Sequence, residues 1–186
     1  MKPETLQKHQ FTLILKNVDE KTPHLEDELY KTGCDDALIN FRNGTVYLDF
    51  DRGSLSLEKA VMSAINAIES SGFIVAGVAP EDLVTESEVA KRLNTNRQTI
   101  SLWIKRERRK SHPFPKPVMK LSGRSPLWKW REIVEWLYRH NLLNQKEIVE
   151  NAIFFESINA VLEERDESTR KLRQNLLKQL KKRGYG

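Results

Sequence analysis

Tryptophan and positive charge are unevenly distributed along this 186-residue chain. All four tryptophans lie within residues 81–141, and this segment carries 14 basic and 7 acidic side chains. Residues 1–80 carry 8 basic and 12 acidic side chains. Large aromatic side chains can fill a small separate core, and a charge excess confined to one segment indicates a local polyanion site. We therefore predict an acidic domain over 1–80, a basic domain over 81–141 and a helical arm over 142–186.

The first segment has the pattern of a small α+β domain. Strands are predicted from the apolar runs at residues 11–15, 37–41, 45–50 and 73–78. The turn between the middle two contains Asn43-Gly44, which tolerates the backbone of a tight hairpin. Leu25 and Leu29 predict a short helix, and the apolar spacing over 57–68 predicts an amphipathic helix that ends at Gly72. The order βαββαβ resembles the ferredoxin-like split βαβ arrangement, which hosts many functions and assigns none.

The basic segment begins with the pattern of two short helices joined by a polar turn. Thr85-Glu86-Ser87-Glu88 has the S/T-x-x-E spacing of a capping box, which predicts a helix start. Asn94-Thr95-Asn96 predicts the turn, because Asn tolerates a left-handed backbone. Ile100, Trp103 and Ile104 have the spacing of a buried stripe on the second helix. The segment therefore predicts a helix-turn-helix.

The exposed side of the second helix, predicted over 97–107, carries side chains that can read DNA. Arg can bond to O6 and N7 of guanine, Gln to N6 and N7 of adenine, and Ser to bases or phosphates. The predicted base-reading residues are Arg97, Gln98, Ser101 and Lys105. The predicted contacts to the DNA backbone come from Thr99, Arg106, Arg108, Arg109, Lys110, Lys120 and Arg124. A solvated helix end, favoured by the helix dipole, explains one or two of these cations but not the whole run.

A wing and a third helix are predicted after the basic run. Two short apolar stretches flank Ser122-Gly123-Arg124, which predicts a two-stranded wing over 118–128 with Arg124 at its tip. A tip arginine can enter a minor groove or contact a phosphate, and solvation of its side chain is the alternative. The helix predicted over 130–140 covers the back of the domain with the apolar side chains Ile133, Val134, Trp136 and Leu137.

These motifs, in this order, resemble a known family of DNA-binding proteins. The resemblance is carried by Thr85–Leu93, Arg97–Trp103, Phe114–Val118, Leu127-Trp128 and Ile133–Leu137. Together they are similar to the winged helix-turn-helix of AlpA-like and excisionase-like regulators, relatives of the MerR superfamily, over about residues 82–141. The resemblance implies that the helix beginning at Arg97 enters the major groove and that the wing flanks it. The chain differs from short family members by folded material on both sides of this segment.

The C-terminal arm has two helical patterns. Residues 145–164 carry a broad apolar stripe, and Ser168 can cap a last helix. That helix carries Leu172, Leu176, Leu177 and Leu180. Two interpretations stay open: the helices fold back on the chain's own domains, or they mediate self-association.

The function expected from these patterns is sequence-specific binding of double-stranded DNA, in the regulation of transcription. We expect a homodimer, because one reading head contacts too little DNA for physiological specificity. One alternative is an antitoxin-like or defence-system accessory subunit, in which residues 1–80 bind a protein partner and the basic segment binds DNA. Another is an excisionase-like architectural protein.

Enzymes and membrane proteins are not expected from this sequence. The histidines have no metal-ligand spacing, and no P-loop, nucleophile elbow or dinucleotide fingerprint is present, so neither a metal nor a cofactor is expected. The apolar runs are far shorter than the ~20 residues that cross a bilayer. The first ten residues lack a signal-peptide pattern. We therefore expect a cytoplasmic protein that is nucleoid-associated when bound to DNA.

Overall fold

The fold is α+β and divides into two compact units. A computed structural model describes residues 6–105, 111–121, 123 and 125–182. One unit contains Met1–Pro80 together with Ser157–Gly186, and the other contains Glu81–Glu156. The division between the acidic and basic segments thus falls at Pro80–Glu81, whereas the predicted arm is shared between the two units.

The first unit is built on a four-stranded antiparallel sheet. Its elements are β1 (Gln7–Lys16), α1 (Leu25–Lys31), β2 (Ala37–Arg42), β3 (Thr45–Ser54), α2 (Leu57–Ser70) and β4 (Ile74–Ala79). The strands lie in the order β2-β3-β1-β4, and each neighbouring pair is antiparallel. The predicted order of strands and helices over residues 1–80 is therefore confirmed, with β1 longer than the predicted 11–15.

The core of this unit lies on one face of the sheet. Alternate residues of β1 and β3 are buried, as a period of two requires. The buried residues of α2 repeat every three or four positions. Ser56 is the N-cap of α2, and its hydroxyl accepts from the Lys59 N–H at 3.2 Å. The hairpin between β2 and β3 turns at Asn43 (φ 52°) and Gly44 (φ 75°), the backbone that the sequence predicts there.

The second unit consists mainly of short helices. Its elements are β5 (Leu83–Val84), α3 (Glu86–Arg92), α4 (Arg97–Ile104), β6 (Trp128–Lys129), α5 (Trp130–Arg139) and the first part of α6 (Lys146–Glu164). Its core contains Val89, Ile100, Trp128, Ile133 and Leu137, each at most 3% exposed. The third helix is present as predicted, with its four apolar side chains buried.

Two predictions for the second unit need correction. The helix predicted over 97–107 ends at Ile104, with Lys105 as its C-cap, and residues 106–110 lie outside the described residues. The wing predicted over 118–128 is shorter than two full strands, because its described residues form one bridge, between Met119 and Leu127. Trp128 instead pairs with Val84, since β6 hydrogen-bonds to β5.

The last part of the chain packs partly on the first unit. In α6, Ile158 and Leu162 are buried, and the Asn159 amide bonds to both backbone groups of Val78 at 2.8 Å. Helix α7 (Glu167–Lys182) follows, and its four leucines are exposed. In the described part of the chain, no helix is both long enough and apolar enough to cross a membrane.

Candidate nucleic-acid interface

The helix pair α3–α4 begins at a complete capping box. The Thr85 hydroxyl accepts from the Glu88 N–H at 3.3 Å, and the Thr85 N–H donates to Glu88 Oε2 at 2.6 Å. The hydrogen bonds from Thr85 hold the pKa of Glu88 below its ordinary value. The sequence prediction of a helix start here is confirmed, so the position of α3 along the chain is set by local side-chain chemistry.

The turn between α3 and α4 is also set locally. Asn94 adopts the left-handed conformation (φ 48°), and the Thr95 N–H donates to the Ala90 carbonyl at 2.9 Å. The Asn96 side chain then accepts from the Thr99 N–H at 2.8 Å, which makes Asn96 the N-cap of α4. This tight turn therefore fixes the position of the first residues of α4 relative to α3.

Helix α4 is anchored on one side by the aromatic core of the second unit. Ile100 is fully buried, and the Trp103 ring lies 5.8 Å from the Trp136 ring. The Phe114 ring lies 5.2 Å from the Trp136 ring, edge-on. The connector after the basic run is held where Trp128 Nε1 donates to the Pro115 carbonyl at 3.0 Å. These contacts explain why this segment concentrates tryptophan.

The opposite side of α4 presents most of the predicted base-reading residues. Arg97, Gln98 and Lys105 are exposed, and Ser101 is half-buried. The Arg97 side chain is 66% exposed, and its Nε lies 3.5 Å from Glu86 Oε1 on α3. An exposed ion pair of this kind is weak, so Arg97 can exchange Glu86 for another acceptor.

Thr99, predicted to contact the DNA backbone, also takes part in the cap of α4. Its side chain is half-buried, and its hydroxyl donates to Asn96 Oδ1 at 2.9 Å. Thr99 therefore belongs to the cap of α4, which sequence spacing alone does not reveal.

The wing turn places a further cation on the surface. Lys120 is exposed, has a left-handed backbone (φ 52°), and its carbonyl accepts from the Gly123 N–H at 3.0 Å. The remaining predicted contacts lie outside the described residues: Arg106, Arg108, Arg109, Lys110 and Arg124. The described part of the candidate surface thus consists of the exposed face of α4 together with Lys120.

Several cations of the basic segment are used inside the unit. Lys129 Nζ lies 2.7 Å from Glu156 Oε1, and Arg131 lies 3.0 Å from Glu156 and 2.8 Å from Glu135. The hydrogen bond from Lys129 lowers the pKa of Glu156, and Arg131 adds to this effect. These residues contribute to the charge excess of the segment while they pair with carboxylates of their own unit.

Arg92 on α3 is a structural cation that the sequence patterns do not single out. Its guanidinium lies 5.1 Å from the centre of the Trp130 ring and 3.9 Å from a Glu81 oxygen. Burial lowers the pKa of Arg92. Arg92 follows buried Val89 by three positions, and this spacing is the signal that could have placed it on the inner side of α3.

Comparison of the chain with known proteins finds no match among family models, curated proteins or solved structures. Within the described residues, no group of three or more histidine, cysteine, aspartate or glutamate side chains could hold a metal ion.

Proposed function

We propose that this protein binds double-stranded DNA in a sequence-specific manner and regulates transcription. The observation that carries the proposal is the arrangement of α4, which is anchored by fully buried Ile100 while Arg97, Gln98 and Lys105 remain exposed. In this proposal α4 enters the major groove, whose width of about 12 Å admits a helix. The wing containing Lys120 contacts the flanking backbone.

The position of Arg97 and Gln98 at the start of α4 supports base reading by these two residues. Recognition helices contact base edges mainly through their N-terminal residues. Arg97 and Gln98 are the first two residues of α4, and the Asn96 cap holds this end in place. A guanidinium and a carboxamide can each form two hydrogen bonds with one purine, which favours recognition of particular bases.

The arrangement of short elements in the second unit supports a winged helix-turn-helix. The α3–α4 pair is joined by the turn at Asn94, and the bridge between Met119 and Leu127 lies between α4 and α5 in the chain. For the first unit, we propose a ferredoxin-like arrangement. It is supported by the strand order β2-β3-β1-β4 and by the two helices that connect β1 to β2 and β3 to β4.

The experiment that tests DNA binding is selection of duplexes from a random pool by the purified full-length protein, followed by sequencing. We expect one enriched motif. Affinity for that motif and for unrelated duplex is then compared for the wild type, Arg97→Ala and Gln98→Ala. Each substitution is expected to cost about 1–3 kcal/mol on the motif and little on unrelated DNA.

The matched control is Lys59→Ala, which removes one exposed cation from α2. It is expected to bind both duplexes as the wild type does. If Arg97→Ala and Gln98→Ala keep the wild-type ratio between motif and unrelated DNA, α4 is not the reading helix. If no motif is enriched at all, the proposal of sequence-specific binding is wrong.

A further inference from the structure

Helix α7 has an exposed apolar stripe. Its leucines Leu172, Leu176, Leu177 and Leu180 are 48–59% exposed. Three of them follow one another at intervals of four residues, so they lie along one side of the helix. A contiguous exposed apolar patch on a folded protein typically marks an interaction surface.

The charge of α7 favours an acidic partner. The helix contains six basic residues and one acidic residue, Glu167. Lys171 is paired with Glu167, whereas Arg170, Lys178 and Lys181 form no ion pair within the described part of the chain. Two α7 helices packed side by side would bring like charges together, which is unfavourable. The stripe therefore fits an apolar surface with acidic walls.

The first unit carries such a surface at the free edge of its sheet. Strand β2 is one of the two edge strands, and a groove of about 400 Å³ lies between β2 and α1. Tyr30 and Leu38 on this groove are 70% and 66% exposed. Its acidic residues are Glu26, Asp27 and Asp35, all exposed. An exposed edge strand with apolar side chains is a ready site for association.

In a single chain the two surfaces do not cover each other. Asn159 attaches the helix before α7 to β4, at the opposite edge of the sheet from β2. Three strand spacings, about 14 Å, separate those edges. An ion pair from Arg165 to Glu69 on α2 and another from Arg173 to Glu163 hold the start of α7 on this side. The leucine stripe and the acidic groove both remain exposed as a result.

We propose that α7 of one copy of this chain docks into the acidic groove between α1 and β2 of a second copy, and that the second copy does the same in return. The stripe fits within the length of the groove, because it extends about 12 Å along the helix from Leu172 to Leu180 and β2 extends about 20 Å. Reciprocal docking closes a dimer with two-fold symmetry. The inference is independent of DNA binding.

The test uses charge reversal on the full-length protein, with mass in solution measured by light scattering. The α7 variant is Lys178→Glu with Lys181→Glu, and the groove variant is Glu26→Lys with Asp27→Lys. Each variant alone places like charges on both contacts, and its dimer dissociation constant is expected to rise about tenfold or more. In an equimolar mixture every contact again joins opposite charges, so a mixed dimer is expected to form.

A matched control has the same change in net charge as the α7 variant but lies elsewhere. Lys59→Glu with Lys116→Glu changes two exposed lysines outside both surfaces and is expected to dimerise like the wild type. Circular dichroism checks that each variant is folded. Formation of the mixed dimer also shows that both variants are folded, because an unfolded chain could not dock.

Three outcomes would overturn the proposal. If the wild-type protein is monomeric in solution, the proposed dimer does not form. An α7 variant that dimerises more tightly, with a groove variant that dimerises like the wild type, indicates pairing of two α7 helices. A mixture that stays monomeric shows that the two charged surfaces do not meet.

Discussion

At the scale of single residues, Glu156 connects the stability of the second unit to pH. Its carboxylate accepts from Lys129 at 2.7 Å and from Arg131 at 3.0 Å, and Lys129 is the main cause of its lowered pKa. A carboxyl whose pKa is lower in the folded state stabilises the fold at neutral pH, and this contribution disappears as pH falls through the folded-state pKa.

We therefore expect Glu156→Gln to lower the free energy of unfolding by about 1–3 kcal/mol at neutral pH. The difference from the wild type should shrink as pH is lowered below the ordinary glutamate pKa of about 4.3. Urea unfolding of both proteins across this range measures it. A difference that stays constant with pH would show that the carboxylate charge is not what Glu156 contributes.

Asn96 stabilises the start of α4 as its N-cap. Its side chain accepts from the Thr99 N–H at 2.8 Å and caps α4. Replacing an N-cap asparagine by alanine removes this bond, so Asn96→Ala is expected to cost about 1 kcal/mol in thermal or urea unfolding. Asn66→Ala, at an exposed position inside α2, is the control and should not lower stability. Equal effects of the two substitutions would contradict the capping role.

The predictability of single residues depends on how local their partners are. The capping box of Thr85 and Glu88 and the left-handed Asn94 follow from neighbouring residues, and the structure confirms both. Thr99 has the residue type and position of a contact to the DNA backbone, and its hydroxyl donates to the capping Asn96 in the structure. Residue type shows that a hydroxyl can donate, but the choice between two acceptors depends on three-dimensional geometry.

At the scale of elements, Asn159 joins α6 to the edge of the sheet. It accepts from the Val78 N–H and donates to the Val78 carbonyl, each at 2.8 Å. Because both backbone groups would lose their partner, Asn159→Leu is expected to lower the free energy of unfolding by about 1–3 kcal/mol for each group left unsatisfied. Urea unfolding of the full chain measures this loss. Asn66→Leu, on the exposed side of α2, is the control; an equal loss in both variants would contradict the bridging role.

Elements with a long periodic pattern were predictable from sequence, and elements without one were not. The spacing in α2 and the alternation in β1 and β3 reflect a buried face that repeats over many residues. Strand β6 has two residues and pairs with β5, which lies more than 40 positions earlier in the chain. No local sequence pattern therefore predicts it. The stripe of α6 is visible in sequence, but its attachment to Val78 through a polar residue is not.

For the molecule as a whole, the C-terminal arm shows what an apolar sequence pattern can and cannot predict. The sequence leaves two interpretations of the arm open, and its helices α6 and α7 differ in burial. Four apolar residues of α6 are buried, whereas the leucines of α7 are exposed. Sequence cannot separate these cases, because an apolar stripe on a helix looks the same whether its partner is the same chain or another.

The charge excess of residues 81–141 gives the last prediction, which concerns the salt dependence of DNA binding. Each phosphate neutralised by a cation releases counterions, so log affinity should fall by roughly 0.9 per contact for each unit of log salt concentration. Lys120, predicted to contact the DNA backbone, is exposed, whereas Arg131 is paired with Glu135 and Glu156. In binding titrations, Lys120→Ala is therefore expected to lower the slope by about 0.9, and Arg131→Gln to leave it unchanged. A flat titration between about 50 and 200 mM salt would exclude phosphate contacts, and an equal change in both variants would show that the paired cations also reach the DNA.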